Sequence, residues 1–308
     1  MTKNRTIALL IALCLCLSSC TIGGAEGGVS EQGITVVASF YPLYIAALNI
    51  IGDCPGVTLT MLAPPDTGCL HDYQLRPQDM AVLTDCDLFV INGAGLETFL
   101  NRVLAQRADL PLCVATNGVD LIPYDDHDHD GHDHDHDSEG DNPHAWVSVR
   151  NYIRYVENIR DGLLEVDPAH KDEYIRNAER YIETLLALDE DMHDALDQLS
   201  HRDIVTFHEA FTYFADEFDL CVAAVIQHEP GQDPSPTELA RTIEVVRMTG
   251  VTALFAEPQY TPSAARTIAG ETGATVYILD PAVTGELTKD AYEVAMRKNM
   301  ETLSEVLG

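Results

Sequence analysis

Short apolar runs rich in β-branched residues recur along the chain at 34–40, 57–62, 88–91 and 112–115, and again at 204–207, 220–226, 253–255 and 275–279. Stretches with helical spacing separate them. A strand buried on both faces shows no polar alternation, so continuous apolar strands alternating with helices predict parallel sheets covered on both sides. The pattern therefore predicts an α/β fold of two lobes, each a four-stranded parallel sheet flanked by helices.

Between the two sets, Tyr174, Ala178, Tyr181, Leu185, Leu188, Met192, Leu196 and Leu199 recur at spacings of three and four. They draw one apolar stripe along a helix expected over about 168–199, long enough at about 1.5 Å per residue to span roughly 40 Å. The expected organisation is an N-terminal lobe at 34–168, a linker helix at 169–199 and a C-terminal lobe at 200–308. A single rigid helix as the only covalent link restricts hinge opening.

Ahead of the first strand, Lys3 and Arg5 precede an apolar run at 7–17 that ends in Ser18, Ser19 and Cys20. A transmembrane helix needs about 20 apolar residues, so this run reads as a secretory signal over 1–19. Its LSSC ending resembles the bacterial lipobox, which makes Cys20 the expected lipidation site and 20–33 a flexible tether. The mature chain is expected outside the cytoplasmic membrane, anchored to it as a lipoprotein.

Charge narrows the range of partners. With 18 basic and 50 acidic residues the formal net charge is −32. Phosphate recognition needs a basic surface, so nucleic acid is excluded as a partner, whereas cations are attracted. Nine of the acids lie between Asp125 and Asp141, in the stretch DDHDHDGHDHDHDSEGDNPH that ends at His144. There His127, His129, His132, His134 and His136 alternate with carboxylates, a composition suited to auxiliary capture of nitrogen-seeking metal ions. A calcium loop is a poor match, because its twelfth position holds Asp137 where Glu is required and its eighth holds Asp133 where an apolar residue packs.

Of eight cysteines, Cys14 and Cys16 leave with the signal and Cys20 takes the lipid. Cys54, Cys69, Cys86, Cys113 and Cys221 remain in a compartment that permits disulfides; the first four allow three complete pairings and leave Cys221 over. Cys69, two residues before His71, is an accessory ligand in one reading and a disulfide or buried thiol in the favoured one.

His71 follows the second strand, His144 the fourth, His208 the fifth and Asp280 the eighth. All four sit beyond the carboxyl ends of parallel strands, where open α/β sheets bind ligands. Three imidazoles and a carboxylate make a closed four-coordinate site suited to zinc. Each has a plainer reading, Asp280 before Pro281 being a common turn opener. His170, His193 and His201 read as solvated, and His228 as a loop residue near the cleft.

The segments SFYPLYIAALNIIGD, HDYQLRPQDM, DCDLFVINGAGLE, NPHAWVSV, FHEAFTYFADEFDL, FAEPQY and YILDP run in order from Ser39 to Pro281. Together they resemble the solute-binding proteins of bacterial ABC importers for zinc and manganese, the cluster A-I type. The resemblance implies two α/β lobes joined by one long helix with the metal between them, and ligands at His71, His144, His208 and Asp280. It implies a receptor, not an enzyme, that delivers Zn2+ to an ABC permease; a monomer is expected. In that family a His at the third position goes with zinc and a Glu with manganese, in keeping with the preference of nitrogen donors. NPH stands here where DPH is common, so Asn142 alters the support of His144. Glu257 is expected to support the ligands, and Glu209, beside His208, competes as one.

Three alternatives stay open: a manganese-specific receptor of the same family, a zinc hydrolase with Glu209 or Glu257 as base, and an adhesin or metal buffer that serves no permease. Against the hydrolase stand a four-ligand shell without a vacancy and the lack of an HExxH motif.

Overall fold

The computed structural model describes residues 33–71, 73–107, 109–124, 140–226, 234–258 and 263–308. Strands β1 (Ile34–Ala38), β2 (Val57–Met61), β3 (Leu88–Ile91) and β4 (Leu112–Val114) form one parallel sheet in the order β2-β1-β3-β4. Strands β5 (Asp203–Thr206), β6 (Cys221–Val225), β7 (Ala253–Ala256) and β8 (Thr275–Ile278) form a second, again parallel, in the matching order β6-β5-β7-β8. The eight runs expected from the sequence are these strands, within three residues at every end.

Around the sheets lie α1 (Tyr41–Ile51), α2 (Pro77–Thr84), α3 (Asn101–Gln106), α4 (Val149–Val166), α5 (Lys171–Leu196), α6 (Thr212–Glu217), α7 (Pro236–Thr249), α8 (Ser263–Thr272) and α9 (Ala291–Leu307). Their ends follow local chemistry. Ser148 Oγ accepts from the Asn151 N–H to start α4, and Ser235 and Glu238 exchange bonds in a capping box, with Pro236 next, to start α7. Such caps satisfy donors that the first helical turn leaves over. Gly250 ends α7 at φ 70, a left-handed conformation that costs a glycine little.

The 26-residue α5 carries the chain from the first sheet to the second. Its expected stripe is buried from Tyr174 to Leu196, and Leu199, just past the helix, is buried too. The stripe packs into one apolar core that takes in residues of both lobes, among them Val36, Leu43, Trp146, Tyr152, Ile204, Phe255 and Met296. Smaller clusters lie around Phe89 and Leu100 in the first lobe and around Val205, Leu254 and Ile268 in the second.

The seam between lobes is aromatic and hydrogen-bonded. Tyr152 stacks on Tyr292 with centroids 3.7 Å apart. Trp146 Nε1–H donates to the Pro281 carbonyl at 2.8 Å, and the Tyr292 hydroxyl returns a bond to the Trp146 carbonyl at 2.8 Å. The polar tips of Trp146 and Tyr292 thus each have a partner on the other side, while the Tyr152 hydroxyl donates to the Pro42 carbonyl of its own lobe.

Two expectations change. Cys54, Cys69, Cys86, Cys113 and Cys221 are all free thiols, because the fold scatters them: Cys113 packs on Gly162 of α4 and bonds the Asn158 carbonyl, while Cys86 lies in the cluster around Phe89. His193 is not simply solvated; it bonds Asp197 and packs on Phe218. The signal, Cys20, the tether through 32, the five histidines between 127 and 136, and His228 lie outside the described residues. Among the described residues no helix is long and apolar enough to cross a membrane.

Candidate metal centre

His71 and Cys69 sit between β2 and α2, His144 opens the 3-10 turn Ala145–Val147, and His208 lies just past β5, after Phe207. These positions bring three imidazoles nitrogen to nitrogen. His144 Nε2 lies 3.1 Å from His71 Nε2 and 3.0 Å from His208 Nε2, and Cys69 Sγ lies 3.2 Å from the same atom. The four donor atoms all fall within 4.8 Å of one another. The group is enclosed, with His144 fully buried and His208 nearly so.

What the arrangement can do follows from its protons. The Nδ1 of His144 faces Asn142 Oδ1 at 2.8 Å, and that oxygen also accepts the His144 backbone N–H at 2.9 Å. An amide oxygen cannot donate, so Nδ1 carries the ring proton and Nε2 presents a bare lone pair to the other donors. Burial holds the His144 pKa well below its ordinary value, and the His208 and His71 rings push it the same way. The ring therefore stays neutral and ready to ligate in mildly acidic solution.

The same shift sets a stability dependence. An unfolded His titrates near 6.5 and the native ring lower, so the unfolded chain takes up a proton first. Below about pH 6.5 the metal-free protein should lose about 1.4 kcal/mol of stability per pH unit on this account, until the native pKa is reached. Denaturant unfolding of metal-free protein at pH 7 and pH 5.5 measures it; equal stability at both would contradict a buried neutral ring.

Asn142 explains its own departure from the common Asp. Its Nδ2 donates to the Glu209 carbonyl at 2.9 Å and to Thr212 Oγ1 at 3.0 Å, both in the second lobe. A carboxylate has no such donors. One amide thereby orients the His144 imidazole of the first lobe and fastens the second lobe to it.

A network that the sequence reading missed holds the segment before His144. The buried Glu97 accepts from Ser39 Oγ at 2.8 Å and from the Asn92 and Gly93 N–H groups at 2.7 and 3.1 Å. Desolvation raises its pKa against these donors. Asn92 Nδ2 then donates to the Pro143 carbonyl at 2.9 Å, and the Tyr155 hydroxyl donates to Asn92 Oδ1 at 2.7 Å. The available signal was a polar, glycine-rich NGAGLE directly after a fully apolar strand.

The approach to His144 is pinned as well. Pro123 and Asp141 form an antiparallel bridge, Tyr124 N–H donates to the Gly140 carbonyl, and Asn142 N–H donates to that of Ile122. Tyr124 and Gly140, the described residues on either side of 125–139, thus meet close in the chain to His144.

Asp280 is not in the donor group. Its Oδ1 accepts the Ala282 N–H at 2.8 Å, and Asn299 of α9 both accepts its N–H and donates to its carbonyl. Asp280 behaves here as the turn opener before Pro281, while Cys69 stands with the imidazoles. Glu257 is buried, and its charge, after desolvation, helps push the Cys69 thiol pKa up. Glu209 meets the site through its carbonyl on Asn142.

A further set, Asp189 and His193 of α5 with Glu217 of α6, also draws together. The Arg150 guanidinium lies 3.3 Å from Glu217 and 3.5 Å from Asp189, so a cation already occupies that junction. Burial raises Glu217 to about 7.

Comparison with known proteins places the chain among metal-uptake proteins. The family model for ZnuA, described as zinc-uptake complex component A periplasmic, matches residues 36–306. The chain is 28% identical over 272 residues to the manganese-binding lipoprotein MntA of Halalkalibacterium halodurans, over 87% of this chain and 85% of that protein. It is 31% identical over 311 residues to the zinc-binding lipoprotein AdcA of Streptococcus pneumoniae, over 98% of this chain and 61% of that protein. The solved structure of FpvC from P. aeruginosa in complex with Ni2+ superimposes with a TM-score of 0.77 at 28% identity, covering 90% of this chain and 97% of that one.

Proposed function

The chain belongs to the zinc-uptake component A family of periplasmic proteins, and from that membership we propose that it is an extracytoplasmic receptor that captures Zn2+ between its lobes and delivers it to an ABC permease. The observation that carries this reading is the meeting of His71, His144 and His208, drawn from both lobes, at 3.0–3.1 Å around one bare nitrogen lone pair. Nitrogen donors favour zinc over manganese. That matters because the relatives are named for manganese, iron and zinc alike.

The histidines at 127, 129, 132, 134 and 136 serve as an auxiliary trap on the same chain as the site, and the described residues on either side, Tyr124 and Gly140, are bonded to each other. Tethering raises the local concentration of metal they hold. Cys20 anchors the receptor to the membrane by lipid, in line with the word lipoprotein in two relatives' names. Delivery is release of a bound ion, with no bond in a substrate to break, so no turnover is expected.

Competition binding tests the reading on purified protein, deletion of 125–139 and His208→Ala. One tight Zn2+ per chain should survive the deletion, outcompete Mn2+ and be lost with His208. Loss of tight binding on deletion alone, or preference for Mn2+, would overturn it.

A further inference from the structure

We propose that Cys69, not Asp280, is the fourth ligand of the ion carried in the cleft, and that its sulfur gives this receptor its preference for zinc over manganese. The inference rests on the receptor reading and goes further by naming the complete donor set.

Geometry is the first support. Tetrahedral zinc with Zn–N of about 2.0–2.1 Å and Zn–S of about 2.3 Å has N···N edges of about 3.4 Å and N···S edges of about 3.6 Å. The pairs at His144 Nε2 measure 3.0 and 3.1 Å to nitrogen and 3.2 Å to sulfur. The three edges that meet at His144 Nε2 thus stand a few tenths of an ångström inside their tetrahedral lengths, and all four donors lie within 4.8 Å of one another, so a modest relaxation admits the ion. Both families of distance shrink together, with the sulfur edge the longest in each case.

The second support is that Asp280 is committed elsewhere. Its carboxylate caps the Ala282 N–H, and its backbone is held on both sides by the buried Asn299. Asp280 falls outside the group of donors that lie within 4.8 Å of one another, whereas Cys69, a free thiol, falls inside it.

Third, the chemistry differs between the candidates. Sulfur is a soft donor that manganese(II) accepts poorly and zinc accepts well, whereas a carboxylate serves both. On binding, the Cys69 S–H bond breaks, its proton passes to solvent and the electron pair left on sulfur forms the metal bond. No electron is transferred.

Cobalt(II) reports the donor set directly, because a cobalt–thiolate bond gives a near-ultraviolet charge-transfer band that nitrogen and oxygen donors do not. The histidine-rich residues therefore contribute no signal of this kind. The band should grow to one equivalent of Co2+ in the full chain, persist in Asp280→Asn and vanish in Cys69→Ser. Zn2+ should also protect Cys69 of the unmodified chain from iodoacetamide, read by mass spectrometry, which tests the bond without any substitution. Cys69→Ser should bind Zn2+ about 10- to 100-fold more weakly, with a smaller loss for Mn2+. Absence of the band in the full chain, its persistence in Cys69→Ser, or alkylation of Cys69 undiminished by Zn2+ would overturn the proposal. Tight binding that survives His208→Ala would instead overturn the receptor site itself.

Discussion

Replacing His144 with alanine is expected to weaken Zn2+ binding by about 100- to 1000-fold. Closed four-ligand zinc sites are worth about 10–16 kcal/mol, so one donor carries roughly 2.5–4 kcal/mol. His144 is the donor on which the others converge, with His71, His208 and Cys69 all within 3.2 Å of its Nε2. Its loss also leaves Asn142 Oδ1 with the backbone N–H alone, where it now receives both the ring and the backbone N–H. Competition against a chelator of known affinity measures the change, with circular dichroism to confirm the fold. A loss below about tenfold would put the ion somewhere other than among these side chains.

The second large effect is on stability. Trp146→Ala should destabilise the protein by about 3–5 kcal/mol, the range for removing a buried large aromatic, and lower Tm by roughly 6–15 °C. Trp146 has no exposed surface and meets Phe40 edge-on at 5.0 Å. Its indole N–H is one of the bonds across the seam, so truncation also leaves the Pro281 carbonyl buried without that donor. Trp146→Phe keeps most of the volume and loses the bond, and should fall between. Thermal unfolding of the three proteins decides it; a loss under about 1 kcal/mol in Trp146→Ala would mean that the seam contributes little to holding the lobes together.

Much of this fold was legible in the sequence. Strands buried on both faces must be apolar throughout, so runs such as LFVI at 88–91 announce themselves, and the α5 stripe does so by period. The strand-end rule likewise drew attention to His71, His144 and His208 before their separation was known. It did not say which donors meet, because that depends on how two sheets are tilted against each other across a seam. Periodicity carries no information on that tilt. Asp280 has the right position along its strand and a backbone turned to another task. Cys69, for which a disulfide or buried thiol is favoured over an accessory ligand in the sequence, lies two residues from His71 with its Sγ 3.2 Å from His144 Nε2. Asn142 is legible as altering the support of His144, but its bonds to Glu209 and Thr212 are not, since those residues lie some seventy positions away.

Trp146 is the chain's one tryptophan, and its ring centroid lies 5.1 Å from that of His144. Every photon of indole emission therefore originates against a ring of the proposed metal site, in a place sealed from water. On that proposal, unlabelled protein carries its own optical gauge of loading, and the filling and emptying of the site can be timed by light alone.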